Sequence, residues 1–426
     1  MTESGRAWST WLIASLCLLF QFVVQVQPSV MIPSLERDLS LSAEELGFLT
    51  SSYFISYLIC QIPSGWLLDR VGPRLVLASS LVLTMGGLIW FGMADSFGSA
   101  VGARIALGIF GAPAFPAAAL VASRWFPSRR FTLMLGLTES FTLIGGVLVD
   151  VGLPSLVSWT GRTGSGWILG GCALTIGILS WVLIRNHPSN QSTGNDSQDD
   201  NASAPAGHAN ISRVLIDPRI WLAAIHGGLF FSVIATFGGL WGVPFLHLRL
   251  GIESAEAAHV LALLFVAGAI GAPLIGLAAA RARMRGVVLM IASVACTASA
   301  FGLVLFTEGS APIYIMLIVI GFFSGAYALD LAFVIDLVSA RHQGFAMGMA
   351  NLILGVVGGP LMITLIAHAI AGSGADPSGS VLDATLSQMN VGLSWFAWGL
   401  ALLIPLGVVL LFCNRFPKRE SSDQIQ

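Results

Sequence analysis

Charged residues are scarce in this chain. Only 10% of its 426 residues are Asp, Glu, Lys or Arg, whereas 55% are hydrophobic and the mean hydropathy is +0.84. A soluble domain typically has about one quarter charged residues, so the composition excludes an ordinary soluble globular protein. The formal net charge of −2 gives no reason to expect a nucleic-acid partner. We therefore expect a protein embedded in the lipid bilayer.

Other chemical signatures are missing as well. The five cysteines all fall inside apolar stretches, which indicates neither a disulfide framework nor a metal site. No stretch matches the phosphate-binding pattern G-x-x-x-x-G-K-[ST], or a strand followed by G-x-G-x-x-G, which argues against an ATP-driven pump. No set of nucleophile and base residues stands out. We expect that the protein is not an enzyme and uses no cofactor or metal.

Long apolar runs, in contrast, are abundant. Because a membrane-spanning helix needs about 20 apolar residues, turn and charge signals divide the chain into about twelve candidate spans. We predict them at residues 8–31, 46–69, 74–94, 98–122, 131–153, 165–185, 219–245, 255–280, 286–307, 311–335, 343–370 and 391–413. The predicted fold is an all-α membrane protein with twelve transmembrane helices in two six-helix halves.

A polar segment separates the two halves. Residues 186–213 are rich in Asn, Ser, Asp, Gly and Ala and lack apolar periodicity, which predicts a flexible cytoplasmic linker. The N-terminal half is then predicted at 1–185, the C-terminal half at 214–415 and a cytoplasmic tail at 416–426.

The basic residues are distributed unevenly between the loops. If the helices alternate in direction, the loops on one side hold 16 of the 20 Lys and Arg residues. Since basic residues accumulate in cytoplasmic loops, this asymmetry predicts a multi-pass protein of the cell (inner) membrane with both termini in the cytoplasm.

A short charged turn occurs in both halves. Gly65–Arg74 reads G-W-L-L-D-R-V-G-P-R, and a related turn follows about 211 residues later at Gly276–Arg285. The offset is nearly the same further on, where Gly136 corresponds to Gly348. A nearly constant offset predicts a duplicated transporter fold with a pseudo-twofold axis along the membrane normal.

These features resemble the major facilitator superfamily of secondary transporters over nearly the whole chain. Gly65–Arg74 matches the superfamily's loop signature G-x-L-x-D-R-x-G-R-R except at Pro73. Arg124–Arg130 is similar to the loop after helix four in organic anion and sugar-acid symporters and in nutrient importers of intracellular bacteria. The superfamily's antiporter signature is incomplete, because Val149 and Asp150 stand where Gly-Pro is expected. The resemblance implies alternating access around a central site.

The charged turn predicts a gate at the cytoplasmic face. Asp69 ends helix two, where it can meet the positive N-terminal end of helix eleven or nearby arginines. Glycines in the turn allow close helix approach. A static turn that only sets topology is the alternative. The predicted gating residues are Gly65, Asp69, Arg70, Gly72, Arg74 and Arg124.

Three charged side chains inside the predicted spans stand out as candidates, because a charge at mid-depth in the membrane costs about 2.5 to 3.5 kcal/mol. Arg104 suits a bidentate bond to a carboxylate or phosphate, or a pair with Glu139; a structural pair or an outward-reaching side chain is the alternative. Glu139, near mid-depth, is predicted to carry the coupled proton, unless it is a neutral hydrogen-bonding residue at a helix interface. Asp330 is a second candidate for proton coupling, or for a gate pair with Arg341.

Polar residues on helical faces complete the predicted site. In the resembled superfamily, helices one, four, seven and ten line the central cavity, although any one of these residues can instead serve packing. The predicted substrate contacts are Arg104, Gln21, Gln25, Tyr57, His226, Tyr327 and Asn351.

The sequence therefore predicts a secondary active transporter. Its substrate is expected to be a small polar organic solute with a carboxylate, such as a sugar acid or an amino acid, imported with protons by a monomer. Two alternatives remain open: a proton-coupled exporter of a drug or siderophore, and a nutrient sensor that does not transport.

Overall fold

Helices account for almost all of the chain that the computed structural model describes, which is residues 3–39, 43–186, 214–279, 285–305, 309–373 and 385–413. In the N-terminal half they are α1 (Glu3–Leu39), α2 (Ala43–Ile59 and Gln61–Val71), α3 (Pro73–Met93) and α4 (Phe97–Gly111 and Ala114–Trp125). The helices α5 and α6 run together over Ser128–Leu183 and are separated by Gly161, whose φ of +67° is not helical.

The C-terminal half repeats this arrangement. Its helices are α7 (Pro218–Ser232, a π-helical Val233–Trp241 and Gly242–Leu250), α8 (Ser254–Ala279), α9 (Arg285–Leu305), α10 (Ser310–Ser324 and Tyr327–Leu337), α11 (Gln343–Val356, a π-helical Val357–Leu361 and Met362–Gly372) and α12 (Leu386–Ala401 and Leu403–Cys413). The predicted all-helical fold is thereby confirmed.

Ten of these stretches are long and apolar enough to cross a membrane, among the residues described. The other two predicted spans, 46–69 and 131–153, are helical too and lie within α2 and α5. The predicted linker lies outside the described residues apart from Asn186, as does the predicted tail, so the division of the chain at 186–213 stays a prediction.

Two prolines break backbone hydrogen bonds that side chains from neighbouring helices replace. Pro28 has no amide hydrogen to bond the Val24 carbonyl, four residues earlier in α1. Pro116 likewise leaves the Ala112 carbonyl without its helical donor at the break in α4. The Gln61 side chain donates to the Ala112 carbonyl at 3.4 Å, and the Arg104 side chain donates to the Val24 carbonyl at 2.8 Å. These side chains keep the irregular backbone satisfied inside the bundle.

The two halves meet through glycines at one end of the bundle. A Cβ added to Gly65 of α2 would collide with the Gly344 carbonyl of α11, and one added to Gly136 of α5 would lie 2.5 Å from the Ala272 carbonyl oxygen of α8. Both contacts lie towards the end that carries Arg74, here named the basic end. The structure is therefore closed at the basic end.

Candidate functional site

Asp69 connects the two halves at the basic end. Its carboxylate oxygens accept hydrogen bonds from the backbone N–H groups of Gly344 and Phe345, each at 2.8 Å. These amides lie in the first turn of α11, where N–H groups lack partners inside the helix and the helix dipole favours a negative charge. The predicted contact between Asp69 and the start of helix eleven is thus present.

The neighbouring arginines of the predicted gate contact their own half instead. The Arg70 guanidinium lies 4.0 Å from the centre of the Trp66 ring. Arg74 donates to the Trp181 carbonyl at 2.6 Å and lies over the Trp181 ring. Gly72 has a φ of +87°, which favours glycine at this turn. At the basic end, Asp69 and Gly65 contact α11 of the other half, whereas Arg70 and Arg74 contact their own half.

Arg104 is fully buried and binds the turn of α1 that precedes Pro28. Its two terminal nitrogens donate to the carbonyls of Val24 and Gln25, at 2.8 and 2.9 Å. The Val24 carbonyl is the one that Pro28 leaves without a helical donor. The guanidinium also lies 4.5 Å from the centre of the Tyr53 ring, a cation–π contact. Arg104 therefore holds the turn of α1 that Pro28 leaves short of a donor, a partner that its position in the sequence did not indicate.

The predicted pair between Arg104 and Glu139 is not formed in this structure. Ion pairs among the described residues include Asp217 with Arg219, Asp330 with His226, and Asp336 with Arg285. Backbone carbonyls and an aromatic ring surround the Arg104 charge instead. Gln25, a predicted substrate contact, meets Arg104 through its backbone carbonyl.

Several buried polar atoms of the N-terminal half have no hydrogen-bond partner within the described part of the chain. Besides Nε of Arg104 itself, they include the Tyr53 hydroxyl beside it and, elsewhere on α1 and α2, Oε1 of Gln21 and Oε1 of Gln61. The amide nitrogen of Gln21 is already used, since it donates to Thr84 at 3.0 Å. Buried polar groups are nearly always paired, so these atoms have hydrogen-bonding capacity that the described residues leave unused.

Gly111 lies between two of these unpaired atoms. A Cβ at Gly111 would be 2.6 Å from the Tyr53 hydroxyl and 3.0 Å from Oε1 of Gln21. Both polar groups therefore pack closely against Gly111, where a larger residue would displace them. Tyr53 lies one turn before the predicted contact Tyr57, but nothing in the sequence points to Gly111 or Thr84 as neighbours.

Two polar contacts join the halves near the middle of the bundle. Tyr327 of α10 lies close enough to Glu139 of α5 for the two side chains to interact. The Asn351 amide of α11 donates to the Tyr57 hydroxyl of α2 at 3.4 Å. The Tyr57 ring stacks on the Tyr53 ring with centroids 6.0 Å apart. Four of the predicted site residues thereby form two contacts between the halves.

Asp330 is paired with His226, which the sequence predicts as a substrate contact. His226 of α7 places Nδ1 3.0 Å from both carboxylate oxygens of Asp330 and Nε2 3.1 Å from the Leu403 carbonyl oxygen. Both side chains are buried, with exposed fractions of 0% and 1%. The suggested gate pair between Asp330 and Arg341 is not formed, and His226 binds inside the C-terminal half instead of lining a site between the halves.

Comparison with known proteins places this architecture in a family. The sequence profile of the Major Facilitator Superfamily matches residues 11–363. Curated relatives include the D-galactonate transporter of Escherichia coli, 27% identical over 38% of this chain and 40% of the relative, and the galacturonate transporter of Dickeya chrysanthemi, 27% identical over 37% and 46%. The probable sulfoacetate transporter SauU of Cupriavidus necator is 26% identical over 42% and 43%. The chain spans less than half the length of these relatives.

Solved structures resemble the fold over most of the chain. The transporter FucP in its outward conformation has a TM-score of 0.70, with 15% identity over 94% of this chain and 98% of FucP. The proton:xylose symporter XylE, solved with 6-bromo-6-deoxy-D-glucose, also has a TM-score of 0.70, with 16% identity over 97% and 96%. With its helical architecture and the sequence match over most of its length, the chain belongs to the major facilitator superfamily.

Proposed function

We propose that the protein is a secondary active transporter that imports a small hydroxylated organic acid, such as a sugar acid, together with protons. Membership of the superfamily supports transport, and the relatives are named as transporters of galactonate, galacturonate and sulfoacetate, all of them organic acids. We further propose that the basic end faces the cytoplasm of a bacterial cell, because basic residues accumulate on that side of a membrane.

The unpaired atoms around Gly111 support an anionic, hydroxylated substrate. Oε1 of Gln21 can accept a hydrogen bond from a substrate hydroxyl, and the Tyr53 hydroxyl can donate or accept. Nε of Arg104 keeps one N–H for a carboxylate oxygen, and its buried charge lacks an ion-pair partner among the described residues. A buried cation compensated only by neutral groups favours a bound anion.

The contact between Glu139 and Tyr327 is the observation that carries the coupling proposal. An anionic Glu139 can accept a hydrogen bond from Tyr327 and hold α5 to α10, whereas a protonated Glu139 is neutral and has a hydrogen of its own to donate. Because the contact joins the two halves, a proton on Glu139 changes how strongly they are held together. A single proton can thereby influence the alternation between the two access states.

Flux measurements in proteoliposomes test this function. Solid-supported-membrane currents would be recorded while D-galactonate, galacturonate and sulfoacetate are added in turn at two pH values, with protein-free liposomes as the control. We expect a transient current for at least one acid that grows with an inward proton gradient. Labelled counterflow of the same acid would confirm translocation. Binding without counterflow would contradict transport, and efflux driven by an inward proton gradient would contradict import.

A further inference from the structure

The pair of His226 and Asp330 constrains where protons can lie. A carbonyl oxygen only accepts hydrogen bonds, so the 3.1 Å contact with Leu403 requires a hydrogen on Nε2 of His226. The other ring nitrogen faces both Asp330 oxygens at 3.0 Å. Two lone pairs facing each other repel, so one further proton must lie between Nδ1 and the carboxylate. The geometry therefore corresponds to a pair that holds one shared proton.

Loss of that proton would break the arrangement. It would leave a neutral imidazole with its hydrogen on Nε2 and an anionic carboxylate facing a nitrogen lone pair, buried at 0% and 1% exposure. An uncompensated buried charge is costly. Among the described residues, the charged neighbours towards the basic end are Arg285 of α9 and Asp336 of α10, which bind each other at 2.8 Å. The facing stretches of α11 and α12, Gln343–Val356 and Leu403–Cys413, contain no Asp, Glu, Lys or Arg.

On the side of α7, the other charged groups near the pair stand at the start of the helix. Arg219 and Asp217 bind each other there at 2.8 Å. A further titratable group, Glu139 of α5, contacts Tyr327, which lies one turn before Asp330 in α10.

A narrow crevice leads from Asp330 towards the basic end. It has a volume of about 40 Å³ and is lined by Arg285, Leu289, Asp330, Phe333, Asp336 and Leu410. A cavity needs a volume of roughly 10–15 Å³ to hold a water molecule. The crevice can therefore hold water, with Asp330 at its inner end and the Arg285–Asp336 pair among its polar walls.

We propose that His226 and Asp330 form a second proton-binding site, in the C-terminal half, that exchanges its proton with water in this crevice. The exchange is a simple proton transfer: water takes the shared proton, and the pair keeps the hydrogen on Nε2 and gains one negative charge. The proposal extends the proton coupling proposed above, on which it rests. The proton:substrate ratio would then reflect this site as well as Glu139.

Proton-binding currents without substrate test the proposal. Proteoliposomes with full-length protein on a solid-supported membrane would receive pH jumps, first with the Glu139→Gln variant and then with that variant combined with His226→Gln. We expect Glu139→Gln to retain a transient current and the combined variant to lose it to the level of protein-free liposomes. Asp330→Asn, combined in the same way, should also lose it and serves if His226→Gln does not fold.

A matched histidine variant provides the control. His247→Gln alters a histidine that binds the Ile252 carbonyl at 2.6 Å, far from the pair at the opposite end of α7; combined with Glu139→Gln it should retain the current. The proposal is overturned if Glu139→Gln alone abolishes the current, or if the current survives removal of His226 and of Asp330. Because no substrate is added, such a failure stands apart from an absence of substrate flux, which would contradict the proposed function.

Discussion

Tyr327 and Asp330 lie three residues apart in the second segment of α10, and each binds a titratable side chain from a different helix. Tyr327 reaches Glu139 of α5 in the N-terminal half, whereas Asp330 binds His226 of α7 within the C-terminal half. This segment begins after a break in α10 and is only 11 residues long. A change of protonation at either partner therefore acts on the same short helix.

Replacing Glu139 by Gln should separate exchange from accumulation. The amide keeps the size of the side chain but cannot take up or release a proton, so uptake driven by a proton gradient should be lost. Counterflow of the same acid should persist, because it needs no net proton movement. Labelled uptake in proteoliposomes with and without an inward proton gradient measures both. Glu256→Gln, at an exposed position of α8, is the control, and intact accumulation in Glu139→Gln would make Glu139 structural.

Arg104 and Pro28 should be energetically coupled. Arg104→Lys leaves one ammonium group in place of a fork that binds two carbonyls, and we expect a loss of about 1–3 kcal/mol in unfolding free energy. Pro28→Ala restores an amide hydrogen for the Val24 carbonyl, so the same lysine substitution should cost less in that background. A double-mutant cycle from denaturation in detergent micelles measures the coupling. Strict additivity would show that the two residues act independently.

Asp69→Asn should weaken the closed basic end. Asparagine has no charge to favour the N-terminus of α11, and its one carbonyl oxygen cannot serve the Gly344 and Phe345 amides as two carboxylate oxygens do. We expect a shift of about 1 kcal/mol towards states that are open at this end. Distances between spin labels at the ends of α2 and α11 measure the shift. Asp95→Asn, at an exposed position between α3 and α4, should leave the distances unchanged.

A methyl group at Gly136 should have a similar effect through steric contact. A Cβ there would lie 2.5 Å from the Ala272 carbonyl oxygen, so Gly136→Ala should hold α5 away from α8 at the basic end. Reaction of a cysteine placed near this contact with a polar thiol reagent should become faster. Gly171→Ala is the matched control, since a Cβ at Gly171 meets no atom within 4 Å. Equal reaction rates in the two variants would mean that the contact adapts without opening.

Asp217 should contribute to stability only above acidic pH. The Arg219 side chain, followed by its backbone N–H, holds the pKa of Asp217 below its ordinary value of 3.8. A carboxylate whose pKa is lowered by folding stabilises the folded state above its unfolded pKa, and this contribution is lost as the pH falls through the folded value. The unfolding temperature of Asp217→Ala should therefore lie below that of the original protein at pH 7. The gap should narrow in acid, and a gap independent of pH would contradict this origin.

The sequence by itself determined the class, the helical fold and one contact of the gate. Apolar run length depends only on local composition and must match the membrane thickness, which is why the predicted spans agree with the helices. Asp69 was matched with helix eleven because a carboxylate at a helix end has few partners as suitable as the N-terminus of a facing helix.

Only the tertiary structure decided the partners of the buried charges. Arg104 was expected beside Glu139, but it binds α1 carbonyls that Pro28 leaves short of donors, and Asp330 binds His226 instead of Arg341. A buried charge needs a partner, and the sequence shows that need without showing which of several distant groups supplies it. That choice depends on helix rotation and on breaks in the backbone, which arise when all twelve helices pack together.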